Sequence, residues 1–393
     1  MSTTAAAAAT VTAPPDTRPA PDARFAASGT LIRLIVRRDR VRLPVWVLAC
    51  VFTVVSVFRS YEQLFPTVAD RASLQTSMSA APSLALLFGT PRDLGMAGPY
   101  TVWRGGWFAA LLLAIFAALT VVRHTRDEED TGRAELVVSG VVGRYAVLTA
   151  ALGVVLAASA LSGALVALSM IAGGTPAAGS LAFGAALALT GAVFAGVGAV
   201  AAQVGSFART ANGIGLAVVG VAYLLRGWGD AGDIPALSWI SPLGWTNEVR
   251  PYTANRWWVL AIQAAAGAAL VALAAALSRR RDLGLGLVAP RDGRAYAPRS
   301  LRGVGGLMYR LHRATLAGWG VGLVLAAIVF GSLAPSVANA FGDNKQMREI
   351  IERMGGSAAS MSVQFVASMS PLFGIAAALY GVQAMLRLHT EEV

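Results

Sequence analysis

Charge is almost absent from eight stretches of this chain: 43–58, 107–122, 145–172, 178–203, 211–225, 257–278, 314–333 and 364–386. After Arg144, 64 residues pass before the next charged one, Arg209. A hydrocarbon core about 30 Å thick is crossed by roughly 20 mostly apolar helical residues, so each stretch predicts a membrane span. The period-two alternation of a membrane barrel is missing. Because backbone polar groups in lipid must be bonded internally, helices remain. The run 173–180, GGTPAAGS, separates the third and fourth stretches with turn-forming Gly and Pro. The expected fold class is an all-α integral membrane protein, a polytopic helix bundle of about eight transmembrane helices.

The pattern also repeats. LIVRRDRVRLPVWVLA near residue 40 matches YRLHRATLAGWGVGLVLA near residue 313, aligning Arg37 with Arg310, Arg40 with Arg313 and Trp46 with Trp319. Each copy leads from a basic segment into a span, a long loop and a second span. That second span ends in RHTRDEED in the first copy and RLHTEEV in the second. The expected organisation is a disordered tail over 1–28, a six-helix unit over 29–278, a linker rich in Arg, Gly and Pro over 279–306, and the first two helices of a second unit over 307–393. The tail is rich in Ala, Thr and Pro and has too little apolar surface to offset the entropy of ordering.

Composition agrees with lipid as solvent: 56 % of residues are hydrophobic and only 13 % charged, about half the charged share of soluble domains. With the N-terminus inside, the eight spans place 22 basic residues on the inner side and ten on the outer side. The excess of positive charge on cytoplasmic segments therefore predicts a cell-membrane protein with both termini in the cytoplasm. This accounts for the net charge of +11 without nucleic acid. Cys50 is the single cysteine, so no intramolecular disulfide forms. His124, His312 and His389 lie far apart and read as surface residues, with no metal site.

Against this background the segment 123–144 stands out. Between Asp127 and Glu135 it gathers five of the chain's 21 acids, beside Arg123, Arg126 and Arg133. Helical spacing would place Glu128, Gly132 and Glu135 on one face, with Glu129 and Arg133 as an i,i+4 pair. A short, self-supporting charged helix facing water is expected. It could be a solvated hairpin, or a docking element for a cytoplasmic partner; the return of acids at Glu391 and Glu392 favours docking.

RHTRDEEDTGRAELVVSGVVGR resembles the segment between the second and third spans of export-type ATP-binding-cassette (ABC) transporter permeases. LIRLIVRRDRVRLPVWVLA, LSWISPLGWTNEVRPY and RWWVL resemble more closely the actinobacterial membrane subunits that export polyketide antibiotics such as tetronasin. The resemblance covers residues 31 to 393. It implies that Asp127, Glu128, Glu129, Gly132, Arg133 and Glu135, with Glu391 and Glu392 in the second copy, form coupling segments that dock an ABC-type ATPase subunit. It implies that Arg33, Arg37, Arg38 and Arg40 lie on an amphipathic helix along the inner surface, and that SPLGW, 241–245, dips partly into the membrane. Double permeases of this kind carry a second full set of spans, so a chain cut short within its second repeat is expected, in company with another permease chain.

No G-x-x-x-x-G-K-[ST] pattern occurs, and GLGL at 284–287 lacks the strand and lysine of a phosphate loop; it reads as linker. The chain itself is expected to bind no cofactor and to have no enzymatic activity, with ATP and Mg held by the partner ATPase. The centres of the expected spans contain no Asp, Glu, Lys or Arg. Ion-coupled carriers usually place such groups within the membrane, so a hydrophobic or amphipathic drug-like molecule is the expected cargo. An ion-coupled transporter or a non-transporting scaffold are the alternatives.

Overall fold

A computed structural model describes residues 24–79, 82–132, 142–281, 284–288, 296, 303–342 and 358–391. The apolar stretches fold as helices that outrun them. In chain order the helices are α1 (Ser28–Arg38), α2 (Arg42–Leu64), α3 (Val68–Ser79), α4 (Pro82–Phe88), α5 (Ala97–Thr101), α6 (Trp107–Arg123), α7 (Arg126–Asp130) and α8 (Ala146–Ala172). They continue as α9 (Ala177–Val204), α10 (Ala208–Ala231), α11 (Pro235–Ile240), α12 (Pro242–Glu248), α13 (Trp257–Ser278), α14 (Val304–Gly342) and α15 (Ala358–Glu391). A π-helical turn, Val102–Gly106, joins α5 to α6. The molecule is an all-helical, multi-pass membrane protein.

Among the described residues, six helices are long and apolar enough to cross a membrane: Arg42–Leu64, Ala97–Asp130, Ala146–Ala172, Ala177–Val204, Ala208–Ala231 and Trp257–Ser278. They coincide with the first six expected spans. The last two differ from expectation. The seventh is bent by 57° between Val304–Arg313 and Thr315–Ile328, and in α15 the apolar helix is the shorter Phe373–Met385. Pro371 interrupts the α15 hydrogen-bond ladder just before it.

Helix α9 is the centre of the bundle and packs against α8, α13, α6 and α10. In lipid, helices gain little from burying apolar surface against one another, so close packing through small residues holds them together. Gly163 of α8 and Gly184 of α9 show this directly. A Cβ on either would collide with the other's backbone carbonyl. The run 191–200 serves as packing face: Gly191 meets Ser159, Gly196 meets Leu270, and Gly198 meets the Ala118 backbone. Cys50, fully buried, lies in the same core with Leu113, Phe183 and Phe194.

Helix α1 is amphipathic. Ile35, with Leu31 and Ile32, packs on Ala150 and Val154 of α8, while Arg33, Arg37 and Arg38 are exposed. Arg40 falls in the turn between α1 and α2, not on the helix expected to carry it. Residues Arg24–Ala27, expected to belong to the disordered tail, are held at the start of α8. Gly143 N–H donates to Ala26 O and Tyr145 N–H to Arg24 O, both at 3.0 Å. Residues 1–23 lie outside the described residues.

The close approach at Gly163 and Gly184 leads to a prediction. Gly184→Leu should lower the stability of the detergent-solubilised protein by about 1–3 kcal/mol or more and expose Cys50 to maleimide at lower temperature. Gly220→Ala, with nothing near its Cβ, should leave both the unfolding temperature and Cys50 labelling unchanged.

Candidate functional site

The acidic segment forms where the long second span ends. Thr125 turns its hydroxyl back to Val121 O at 2.6 Å, a bond that competes with the helical ladder. Helix α7 then runs only from Arg126 to Asp130. Gly132, just after it, has φ +71°, a left-handed conformation open to glycine without strain. Arg133 and Glu135 lie outside the described residues.

Nor does α7 stand free in water. Arg126 is fully buried, and its guanidinium is surrounded by acceptors. It donates to Ser206 O, with Nε at 3.1 Å, to Gly284 O at 2.9 Å, to Leu285 O at 3.2 Å and to Glu129 Oε2 at 2.8 Å. Glu129 in turn takes a two-pronged contact from Arg281, both distances 2.7 Å, and Arg281 Nε donates to Gln203 Oε1 at 2.6 Å. Such forked pairs are among the stronger charge-assisted bonds.

This cluster closes the break between α9 and α10. A helix leaves its last carbonyls and first N–H groups without internal partners. Here Leu287 and Val288 N–H donate to Gln203 O and Val204 O at 3.0 and 3.2 Å, and the Asp130 carboxylate accepts from Ala208 N–H at the start of α10. Gly286 presses on the Gly205–Ser206 backbone, where a Cβ would have no room, and Gly284 has φ +81°. The Gly-rich stretch expected to be mere linker is therefore a fitted element. Its alternating glycines were the visible signal.

Further contacts extend the cluster. Glu128 pairs with Arg38 of α1. Asp39, buried between α1 and α2, lies 2.6 Å from His124 Nε2 and 3.3 Å from Arg123. His124 and His312, expected at the surface, are each 4 % exposed. Asp127 is half-buried and makes no side-chain hydrogen bond or ion pair among the described residues. Of the second copy, Glu391 is the last residue of α15, and Glu392 lies outside the described residues. The expected docking residues thus divide: Glu128 and Glu129 hold the fold together, and Asp127 is left available.

At the distal end of the bundle, α11 and α12 form a hairpin that re-enters between the spans. Ser241 is fully buried and donates to Ala222 O at 2.6 Å, and its oxygen accepts from Gly244 N–H to cap α12. Thr246 reaches Thr190 near the middle of α9 at 2.8 Å, where Gln263 of α13 also donates at 3.3 Å. Helix α10 extends beyond its expected end and brings buried Arg226 and half-buried Asp230, 3.7 Å apart, into the fifth span. They sit in the last two turns of the helix, away from the span centres expected to lack ionisable groups. Behind the hairpin, Tyr252 donates to or accepts from Ser180 at 3.0 Å. Burial pushes its phenol above the ordinary value, outweighing the Ser180 and Thr175 hydroxyls.

Comparison with known proteins agrees with this architecture. The family described as "Multidrug efflux system permease Rv1217c, C-terminal domain" matches residues 29–279 and 301–393. The chain belongs to this family. It is 43 % identical over 363 residues to the multidrug efflux system permease protein Rv1217c of Mycobacterium tuberculosis, an alignment covering 92 % of this chain and 66 % of that protein. The chain spans about two thirds of that relative's length. The family match includes α7 but omits 280–300, the stretch carrying Arg281 and the carbonyls that receive Arg126.

Removing one partner of a buried ion pair leaves an uncompensated charge and costs about 3 kcal/mol or more. Glu129→Ala should therefore destabilise the protein strongly in thermal or denaturant unfolding. Arg281→Ala should also destabilise, and the double variant Glu129→Ala/Arg281→Ala should lose clearly less than the two single losses combined. Strict additivity would show that the pair is not coupled.

Proposed function

We propose that this chain is the membrane-spanning subunit of an ATP-driven ABC exporter. In this reading it moves a hydrophobic or amphipathic, drug-like molecule out of the cell, powered by a separate ATPase subunit. The relative's name, multidrug efflux system permease, supports export. The sequence carries no P-loop lysine pattern, so hydrolysis is assigned to the partner, which would hold ATP and Mg. Both termini are then cytoplasmic, and a further permease chain completes the pathway.

The observation that carries the reading is the connectivity of α7. Five residues, Arg126 to Asp130, touch α1, the α9–α10 junction and the linker through charge-assisted bonds. A displacement applied at Asp127 therefore reaches several helix ends at once. Packed helices respond to such a push by switching between discrete arrangements, not by bending gradually. Binding of ATP by the partner would supply the push.

Asp127 is the residue to alter, because Glu128 and Glu129 are engaged within the fold. Co-expressed with a P-loop ATPase subunit of the ABC type, the full chain should co-purify with it, and the ATPase activity of the complex should respond to hydrophobic drugs. Asp127→Arg should reduce recovery of the ATPase about tenfold, while the elution profile and unfolding temperature of the chain stay as in wild type. Unchanged recovery and activity would overturn the docking assignment. Drug export that survives without the ATPase and collapses with the proton gradient would overturn the ATP-driven reading in favour of ion coupling.

A further inference from the structure

Buried polar groups in proteins are nearly always paired. The distal end of the bundle departs from this in a directed way. Trp107 Nε1, Arg226 Nη1 and Arg250 Nε are buried N–H groups with no acceptor among the described residues. The Asp230 Oδ2 oxygen is also without a hydrogen bond, although it keeps the ion-pair distance of 3.7 Å to Arg226.

These donors border two adjoining cavities. One is lined by Phe88, Arg92, Val102, Trp103, Asn247 and Arg250. The other is lined by Trp107, Tyr223, Arg226, Leu243, Thr246 and Asn247. Asn247 belongs to both, so the two adjoin near the C-terminal end of α12. The Thr246 hydroxyl is engaged with Thr190, which leaves guanidinium, indole and amide groups to face a guest.

Charge points the same way. Glu248 is the one carboxylate shared by Arg92, Arg250 and Arg256, at 3.3, 3.3 and 3.0 Å. Three cations around one acid leave a positive excess beside the first cavity. Arg226 and Asp230 offset each other beside the second. Apolar walls, Phe88, Val102 and Trp103, complete the lining.

The backbone here is unusual as well. The π-helical turn Val102–Gly106 lies immediately before Trp107, and such turns frequently mark functional sites. Arg250, Tyr252 and Asn255 have φ of 50°, 67° and 43°. Left-handed conformations are strained for non-glycine residues, and strain of this kind clusters at ligand clamps.

We propose that these adjoining cavities bind the carboxylate head of a small amphipathic molecule, with its apolar body against Phe88, Val102 and Trp103. A carboxylate offers two oxygens and about four acceptor positions, which suits converging N–H donors. The proposal deepens the export reading by naming a substrate class and rests on it for the direction of movement. Binding itself is measurable without transport.

The test uses the full chain in phosphatidylcholine nanodiscs with radiolabelled 2-naphthoate, its neutral analogue 2-naphthylmethanol and the cationic 2-naphthylmethylamine. Naphthoate should bind saturably and about tenfold more tightly than the alcohol, the amine more weakly still. Trp107→Phe keeps the ring packing and removes the N–H; it should weaken naphthoate about fivefold. Arg250→Gln, at a half-exposed position, should weaken it about tenfold. Both variants should elute as wild type.

Equal affinity for naphthoate and the alcohol, or wild-type affinity in both variants, would overturn the proposal and leave the donors to bound water. Loss of naphthoate binding when phosphatidylglycerol replaces phosphatidylcholine would assign the site to a lipid headgroup and overturn the small-molecule assignment. If naphthoate binds as expected while the ATPase fails to associate, the site stands and the ATP-driven reading falls. The converse pair of results removes only the site.

Discussion

A guanidinium with no access to water must find acceptors or forfeit several kcal/mol, and Arg126 is in that position. Its acceptors come from three places far apart in the chain: the Ser206 carbonyl at the α9–α10 break, the Gly284 and Leu285 carbonyls of the linker, and Glu129 one turn away. Satisfying this one side chain brings together the second, fourth and fifth spans and the segment that follows the sixth. Arg281 and Asp130 then complete what Arg126 begins, one by neutralising Glu129 and the other by capping α10. The charged end of the bundle is thus a fastening in which Arg126, Glu129, Asp130 and Arg281 are each engaged.

The other end is arranged on the opposite principle. There, donors outnumber acceptors, and the hairpin α11–α12 carries polar groups inward as far as Thr190. Such an imbalance is costly in a low-dielectric interior and is kept where a guest completes it. Movement at α7 and occupancy of the distal cavities are connected by the same rigid members, since α6 runs from Trp107 to Arg123 and α10 from Ala208 to Arg226 and beyond. Each helix has one end at the fastening and the other at the cavities.

Sequence reading and structure part company at identifiable residues. The apolar runs located the first six spans, and the acids of 127–130 located the segment where the helix ends gather. The alternation of charges could not name a partner of Glu129 that lies far along the chain: Arg281, 152 positions away; Arg133, its expected neighbour along a helix, lies outside the described residues. His124 was expected at the surface because it stands among charged neighbours, yet it is buried against Asp39. Arg226 and Asp230 were excluded from a span by their charge, yet the helix keeps them because they lie one turn apart and face each other. Local pattern reports which residues prefer lipid, and it does not report which charges have found partners.

Hydropathy by itself determined that this chain crosses a membrane as helices, and where most of them lie. That follows because lipid tolerates no unbonded backbone and the requirement is met locally, residue by residue. A charge-rich segment after the second span was legible in the same local way, whereas the amphipathic helix before the first span came from the family resemblance. Tertiary structure alone decided that Glu128 and Glu129 pair with Arg38 and Arg281 while Asp127 has no side-chain partner among the described residues, that the glycine-rich linker closes a helix break, and that the distal donors converge on shared cavities. Those outcomes depend on pairing between groups distant in sequence, where the energy is set by a few ångströms of approach and by the exclusion of water, neither of which is written in the order of residues.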